Sequence, residues 1–180
     1  MASVLQVAGV AALWFVLFSL NDWAFGYLDQ AHVISWVFLP AALRLLGVLL
    51  FGRWAALGLF LGALATNGTA FGHSMAQSVS VAALSGLGAL GALHLTTRIL
   101  QVPPTLRGLT AGRLAVFAVV GALCNVIPHN LFFWAVGLQP NPFVGLVPMF
   151  IGDLAGIVIV LYGLRGVLLL IERRMRVRTP

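Results

Sequence analysis

Two ionisable residues, Arg44 and Asp153, stand inside stretches that are otherwise apolar. A charge held at membrane depth is costly, so its presence there points to a role. Arg44 lies about nine residues before the break at Gly52–Arg53, or roughly 13 Å at helical rise. Asp153 lies about twelve residues before Arg165, or roughly 18 Å from the same edge. The difference of about 5 Å is within the reach of an arginine side chain. A buried ion pair between the second and sixth apolar runs is therefore expected. In the alternative, Arg44 snorkels to the inner headgroups and Asp153 is bonded locally.

A second group gathers in the fifth apolar run: Asn125, Pro128, His129 and Asn130. Asn125 and His129 are one helical turn apart and share a face. Pro128 has no N–H to donate, so the carbonyl of Cys124 is left without its helical partner. Polar groups on a broken helix in the outer half of a bundle are what a ligand cavity requires. They are equally what a structural kink requires when its polar groups bond neighbouring helices. Asn125, His129 and Asn130, with Asn67 from the gap after the third run, are the candidate ligand-binding residues.

Other chemistry finds little material. His32, His73 and His94 are scattered without i, i+4 pairing, so neither a metal nor a haem is expected, and no cofactor. Cys124 is the only cysteine, which excludes an intrachain disulfide and any cysteine-based cluster. Ala83-Leu84-Ser85-Gly86 resembles the serine motif of rhomboid proteases without its first glycine. Ser85 sits among small residues and reads as packing. HExxH, Walker and acidic-cluster patterns are absent. With 4 carboxylates in the chain, two of them in one gap, metal-assisted phosphoryl transfer has no ligands. The chain does not read as an enzyme.

The elements that position these residues follow from composition. The sequence is 61% hydrophobic and 8% charged, too little charge to cover a soluble domain. Six apolar runs can be separated by turn residues and charges, at about 4–20, 31–51, 54–67, 75–96, 114–136 and 143–171. The third is short. The sixth is long for one span, and Pro148 either kinks it or delays its start. A single all-α domain over residues 1–180 is expected, a bundle of about six transmembrane helices with a basic tail at 172–180. The first run lacks a preceding basic residue and a cleavage site, so it reads as a retained span.

Arginine supplies all the basic charge. It falls in every second gap: Arg53 after the second run, Arg98, Arg107 and Arg113 after the fourth, and Arg165, Arg173, Arg174, Arg176 and Arg178 at the end. The first gap instead carries Asp22 and Asp29. Short arginine-rich loops stay cytoplasmic, which places both termini inside. Arg173, Arg174, Arg176 and Arg178 fix this orientation or meet anionic lipid. No stripe of arginine with interleaved aromatics exists, so nucleic acid is not an expected partner. The spacing of Gly58 with Gly62 and of Gly152 with Gly156 suits close helix packing, within the bundle or against a second copy.

Leu39-Pro40-Ala41-Ala42-Leu43, Gly52-Arg53-Trp54 and Leu61-Gly62-Ala63-Leu64-Ala65-Thr66-Asn67 together resemble the second and third helices of MASE1, a bacterial membrane-associated sensor domain. Phe150-Ile151-Gly152-Asp153-Leu154-Ala155-Gly156 looks like that family's final-helix Gly-Asp motif. The likeness runs from about Val33 to Leu170. It departs at Arg44, where the family is usually apolar, and at Leu39, where an aromatic is common. The resemblance implies a sensor-like bundle in the bacterial inner membrane, binding a small ligand or a membrane partner. Family members usually precede a kinase, cyclase or phosphodiesterase domain. None is expected here, so a signal would pass to a separate protein. An alternative is the substrate-binding subunit of an energy-coupling-factor vitamin transporter, which is similar in size, helix number and outward-facing pocket.

Overall fold

The computed structural model describes residues 1–28, 34–70, 74–99, 101 and 110–178, the side chains of 68–70 and 176–178 excepted. The described part is all-helical. In chain order it comprises α1 (Ala2–Phe25), a 3-10 turn (Gly26–Leu28), α2 (Pro40–Phe51), α3 (Arg53–Ala70), α4 (Met75–Ile99), α5 (Ala111–Ala135) and α6 (Leu146–Arg178). Four helical segments, 2–28, 75–99, 111–135 and 146–175, are long and apolar enough to cross a membrane. The chain is thus a membrane-type helical bundle.

Each long helix buries only a narrow stripe. In α1 the buried residues are Val10, Trp14 and Asn21, while Val4, Leu5, Leu13, Phe15 and Val16 are exposed. Exposed apolar residues around most of a helix are what a lipid solvent permits. The stripe of α4 is, apart from Val81, made of small residues: Ser78, Ala82, Ser85, Gly86, Ala89, Ala92 and Thr96. They recur every three or four residues, so they share a face and let neighbouring backbones approach. A Cβ at Gly58 would meet Val10, and one at Gly62 would meet Trp14 at 2.7 Å, so this pair seats α1 on α3 within the chain.

The second element departs from the expected full span. Residues 31–51 read as one apolar run, yet α2 begins only at Pro40 and has 12 residues, about 18 Å of helix. Pro40 is preorganised for a first helical position, which sets this late start. Nine of its residues are buried, and it touches α1, α3, α4, α5 and α6. It is the central rod of the bundle. A helix jacketed by protein need not cross a bilayer, and irregular backbone is tolerated at depth when protein covers it.

The non-helical stretch from Ile34 to Leu39 meets that condition. The Phe38 amide donates to the Gly152 carbonyl at 3.0 Å. The Leu39 amide donates to Asn21 Oδ1 at 2.8 Å. A Cβ on Gly152 would collide with the Ser35 carbonyl oxygen, and one on Gly156 with that of Phe38. The two glycines thus form a flat seat on α6 for an extended backbone.

Other boundaries also moved. Asn21 and Asp22, expected in a gap, are helical, and Asn21 is buried. Pro148 stands in the first turn of α6, so it starts this helix instead of kinking it. From Tyr162 to Met175 nearly every side chain of α6 is exposed, so this half leaves the bundle's packed core. Asp29, Gln30, Arg107 and the Pro103–Pro104 loop lie outside the described residues.

Candidate functional site

Four helices converge on Arg44. One turn into α2, its guanidinium Nη1 donates to Asp153 Oδ1 at 3.3 Å and to Oδ2 at 3.4 Å. Nη2 donates to Ser85 Oγ on α4 at 3.4 Å. Asn125 Nδ2, from α5, donates to Asp153 Oδ2 at 2.8 Å. Asp153 is 3% exposed and Arg44 9%, so water does not screen the pair.

Two aromatic faces complete the Arg44 site. The guanidinium carbon lies 5.2 Å from the centroid of Trp14 and 4.9 Å from that of Phe38. These rings meet edge to face at 5.9 Å. Trp14 is itself held by its indole N–H, which donates to Thr66 Oγ1 at 3.1 Å. The ring quadrupoles add to the field that retains a cation here. The segment before α2 and the first turns of α2 therefore deliver Phe38 and Arg44 together. Beside the ion pair lies a cavity of about 20 Å³, bordered by Arg44, Asp153 and apolar residues such as Val48 and Phe117. That is space for about one water molecule.

The polar stripe of α5 climbs away from this cluster. His129 Nδ1 sits 2.7 Å from the Asn125 carbonyl oxygen of its own helix. The ring packs edge to face on Phe133 at 6.0 Å. The carbonyl of Cys124, deprived of a partner by Pro128, faces α4 where a Cβ on Gly88 would stand 2.8 Å away. Only a glycine leaves that carbonyl room, so the proline and the glycine belong to one contact. Asn130 Nδ2 donates to the Val126 carbonyl at 2.9 Å and contacts Met149 Sδ at 3.2 Å. Its Oδ1 is buried without a partner.

The four candidate ligand-binding residues are thus not one constellation. Asn125 belongs to the Arg44–Asp153 cluster, His129 bonds the backbone of Asn125 on its own helix and of Val81 on α4, and Asn67 donates to the Ser78 carbonyl of α4 at 3.2 Å. Asn125 Oδ1 and Asn130 Oδ1 are both unpaired, and that of Asn130 faces the loop between α5 and α6. Four contributors went unnoticed in the sequence. Trp14 and Phe38 look like ordinary lipid-facing aromatics, and Asn21 looks like loop. Gln139 lies in a gap marked by Pro140 and Pro142.

Among the described residues no group of three histidine, cysteine, aspartate or glutamate side chains gathers; His32 and His73 lie outside them. His94 is exposed on α4. Arg173 and Arg174 are exposed near the end of α6, and the side chains of Arg176 and Arg178 lie outside the described set. Compared with protein-family models, with curated proteins and with solved structures, the chain has no match in any of the three.

Proposed function

We propose that this protein sits in the bacterial cytoplasmic membrane as a six-element bundle, binds a small ligand toward its outer end, and hands that event to a separate protein. The observation that carries the reading is the set of buried polar groups in an otherwise apolar core. It comprises Arg44, Asp153 and Asn125, bonded to one another, and His129 and Asn130 buried farther along α5 without a bond between them. Buried polar groups of this density are rare in membrane bundles and mark functional sites. The resemblance to MASE1 sensor domains favours a sensor-like or accessory role, with a membrane protein or a second copy as partner.

Contacts between helices support the orientation. Val10 and Trp14 of α1 meet Gly58 and Gly62 of α3 in the same order, so these two run parallel. Asn125 and Asn130 of α5 meet Asp153 and Met149 of α6 in reverse order, so those run antiparallel. With such alternation both termini share the end that carries Arg53, Arg98 and Arg113, the cytoplasmic end by the arginine rule.

A second reading, the substrate-binding subunit of a vitamin transporter, is favoured by the interrupted second span. Discontinuous helices commonly frame substrate sites in transporters. Native mass spectrometry of the gently extracted protein decides. A retained small molecule with a signalling or membrane partner supports the sensor-like reading. Co-purification with a coupling membrane protein and ATPases, together with an uptake defect on deletion, transfers the assignment to transport. A bare monomer with no ligand sinks both.

A further inference from the structure

The loop between α5 and α6 contains a residue whose placement its surroundings do not require. From Val136 to Val144 the side chains are exposed or half-buried, except Gln139, which is 6% exposed. Both of its amide atoms, Oε1 and Nε2, are buried without a hydrogen-bond partner. Burying an amide unpaired costs about 1–3 kcal/mol, and a glutamine in an exposed loop could avoid that by facing water.

The backbone aims it inward. Gly137, at φ +76°, closes α5 in a Schellman cap. The Leu138 amide donates to the Phe133 carbonyl at 2.8 Å and the Gly137 amide to that of Trp134 at 3.0 Å. This folds the chain back over the helix end, toward Asn130. Asn130 Oδ1 and Gln139 Nε2 both border the point where a Cβ on Gly145 would stand. Gly145 has no side chain, so two unpaired amides face a bare backbone, with Ile34 and Met149 alongside.

We propose that Asn130 and Gln139 form a binding site for a small uncharged molecule carrying an amide-type edge, an N–H donor beside a carbonyl acceptor, as in a carboxamide, a lactam or a pyrimidine base. The inference rests on the ligand-binding reading above and names the ligand class. Asn130 Nδ2 is committed to a backbone carbonyl, so Oδ1 is an acceptor and the ligand must donate to it. Gln139 supplies one acceptor and one donor group, which match an edge that both gives and takes. Among the described residues no charged side chain hydrogen-bonds either amide, so the site offers nothing to neutralise an ion. Met149 Sδ and Ile34 Cδ1 lie beside the two amides and would be the apolar neighbours of a bound ring. Because a Cβ at Gly145 already finds no room, a ligand enters this site only if the largely exposed loop shifts outward.

The test uses the full chain purified in detergent, followed by thermal unfolding with nicotinamide or uracil, and with nicotinate as the anion of the same ring. The neutral probes raise the midpoint and nicotinate does not. Gln139→Leu, which leaves the helix-cap backbone bonds untouched, weakens the neutral probes about tenfold or more, the loss of roughly one to two hydrogen bonds. Asn130→Leu abolishes the shift; because it also breaks the bond to Val126, Gln139→Leu is the variant that decides. The proposal is overturned if neither neutral probe shifts the midpoint, if nicotinate does so equally, or if Gln139→Leu leaves the shift intact. Should Gln139→Leu lower the midpoint with no probe binding, the two amides serve only each other, and the proposal again falls. Native mass spectrometry separates this failure from that of the broader reading. An endogenous molecule retained by Gln139→Leu keeps ligand binding and removes this site, whereas no molecule and no probe response remove both.

Discussion

Two polar regions share one bundle, and they differ in how far their polar groups are bonded within the chain. Around Arg44 the charge is met from four sides, carboxylate, hydroxyl and two ring faces, and only Arg44 Nε and Asn125 Oδ1 stay unpaired. Around Gln139 two buried carboxamides keep three atoms unpaired. The first region joins α2, α4, α5 and α6 into one electrostatic unit. The second joins a helix end to a loop and leaves its bonding capacity open. A buried group that is bonded specifies a structure, while one that is unbonded and could have been solvated points outside the chain. The Arg44 cluster is accordingly the hinge-pin of the fold, and the Asn130–Gln139 pair is the place to look for a ligand.

The largest effect that could break this contrast comes from Asp153→Leu. It leaves Arg44 buried without its counter-charge, a change worth about 3–5 kcal/mol. Detergent-solubilised protein should lose its monodisperse elution and most of its folded yield. Arg44→Leu combined with Asp153→Leu should recover much of that loss, since an apolar pair is often as stable as a buried ion pair. The exchange Arg44→Asp with Asp153→Arg should not, because Trp14 and Phe38 would then present ring faces to an anion. If the exchange folds as well as the wild type, the aromatic faces contribute nothing to the site.

Next in size is Gly156→Ala. The added Cβ collides with the Phe38 carbonyl, and both partners are backbone or backbone-bound, so something must shift. Overpacking of this kind costs about 1–3 kcal/mol. The segment from Ile34 to Leu39 would lift from α6, carrying Phe38 off Arg44. Thiol labelling of Ser35→Cys, slow in the parent, should accelerate in the Gly156→Ala background. Unchanged labelling would mean that the glycine seat does not hold this segment. Trp14→Phe is smaller again, about 1 kcal/mol, since it removes the hydrogen bond to Thr66 and weakens one cation–π face. Its midpoint of thermal unfolding should fall by less than that of Gly156→Ala.

How much of this the sequence carried differs between the two regions for a physical reason. Helix existence was legible, because six apolar runs in 180 residues leave few other arrangements. Arg44 and Asp153 were legible as a pair, because a charge in an apolar run is conspicuous and helical rise converts position to depth. The short central helix was not. Its preceding residues are as apolar as a span, and hydropathy cannot tell lipid from a protein jacket. Nothing in Ile34 to Leu39 signals irregular backbone except Pro40, which is ambiguous at a helix start. Trp14 and Phe38 were illegible as cation partners, since every aromatic in such a chain has an apolar alternative. Gln139 escaped because loops are expected to be polar, so an inward-turned amide leaves no trace in composition.

The smallest expected effect tests the contrast most directly, because its sign is the point. In the Arg44 cluster, removing a polar side chain strands its partners. At Gln139 there is no partner to strand, so Gln139→Leu without ligand should leave stability unchanged or raise it by about 1 kcal/mol, as the cost of the unpaired amide disappears. Leucine is comparable in volume to glutamine, so the loop closes over Asn130 without a void. The measurement is the thermal midpoint of the ligand-free variant beside that of Ser85→Ala, which removes an acceptor from Arg44 and should lower it. If both variants lose stability alike, Gln139 is bonded within the chain and the two regions obey the same rule. A midpoint that falls for Ser85→Ala and holds or rises for Gln139→Leu means that the amide is maintained at a cost to the empty fold, which a binding role would explain and a structural one would not.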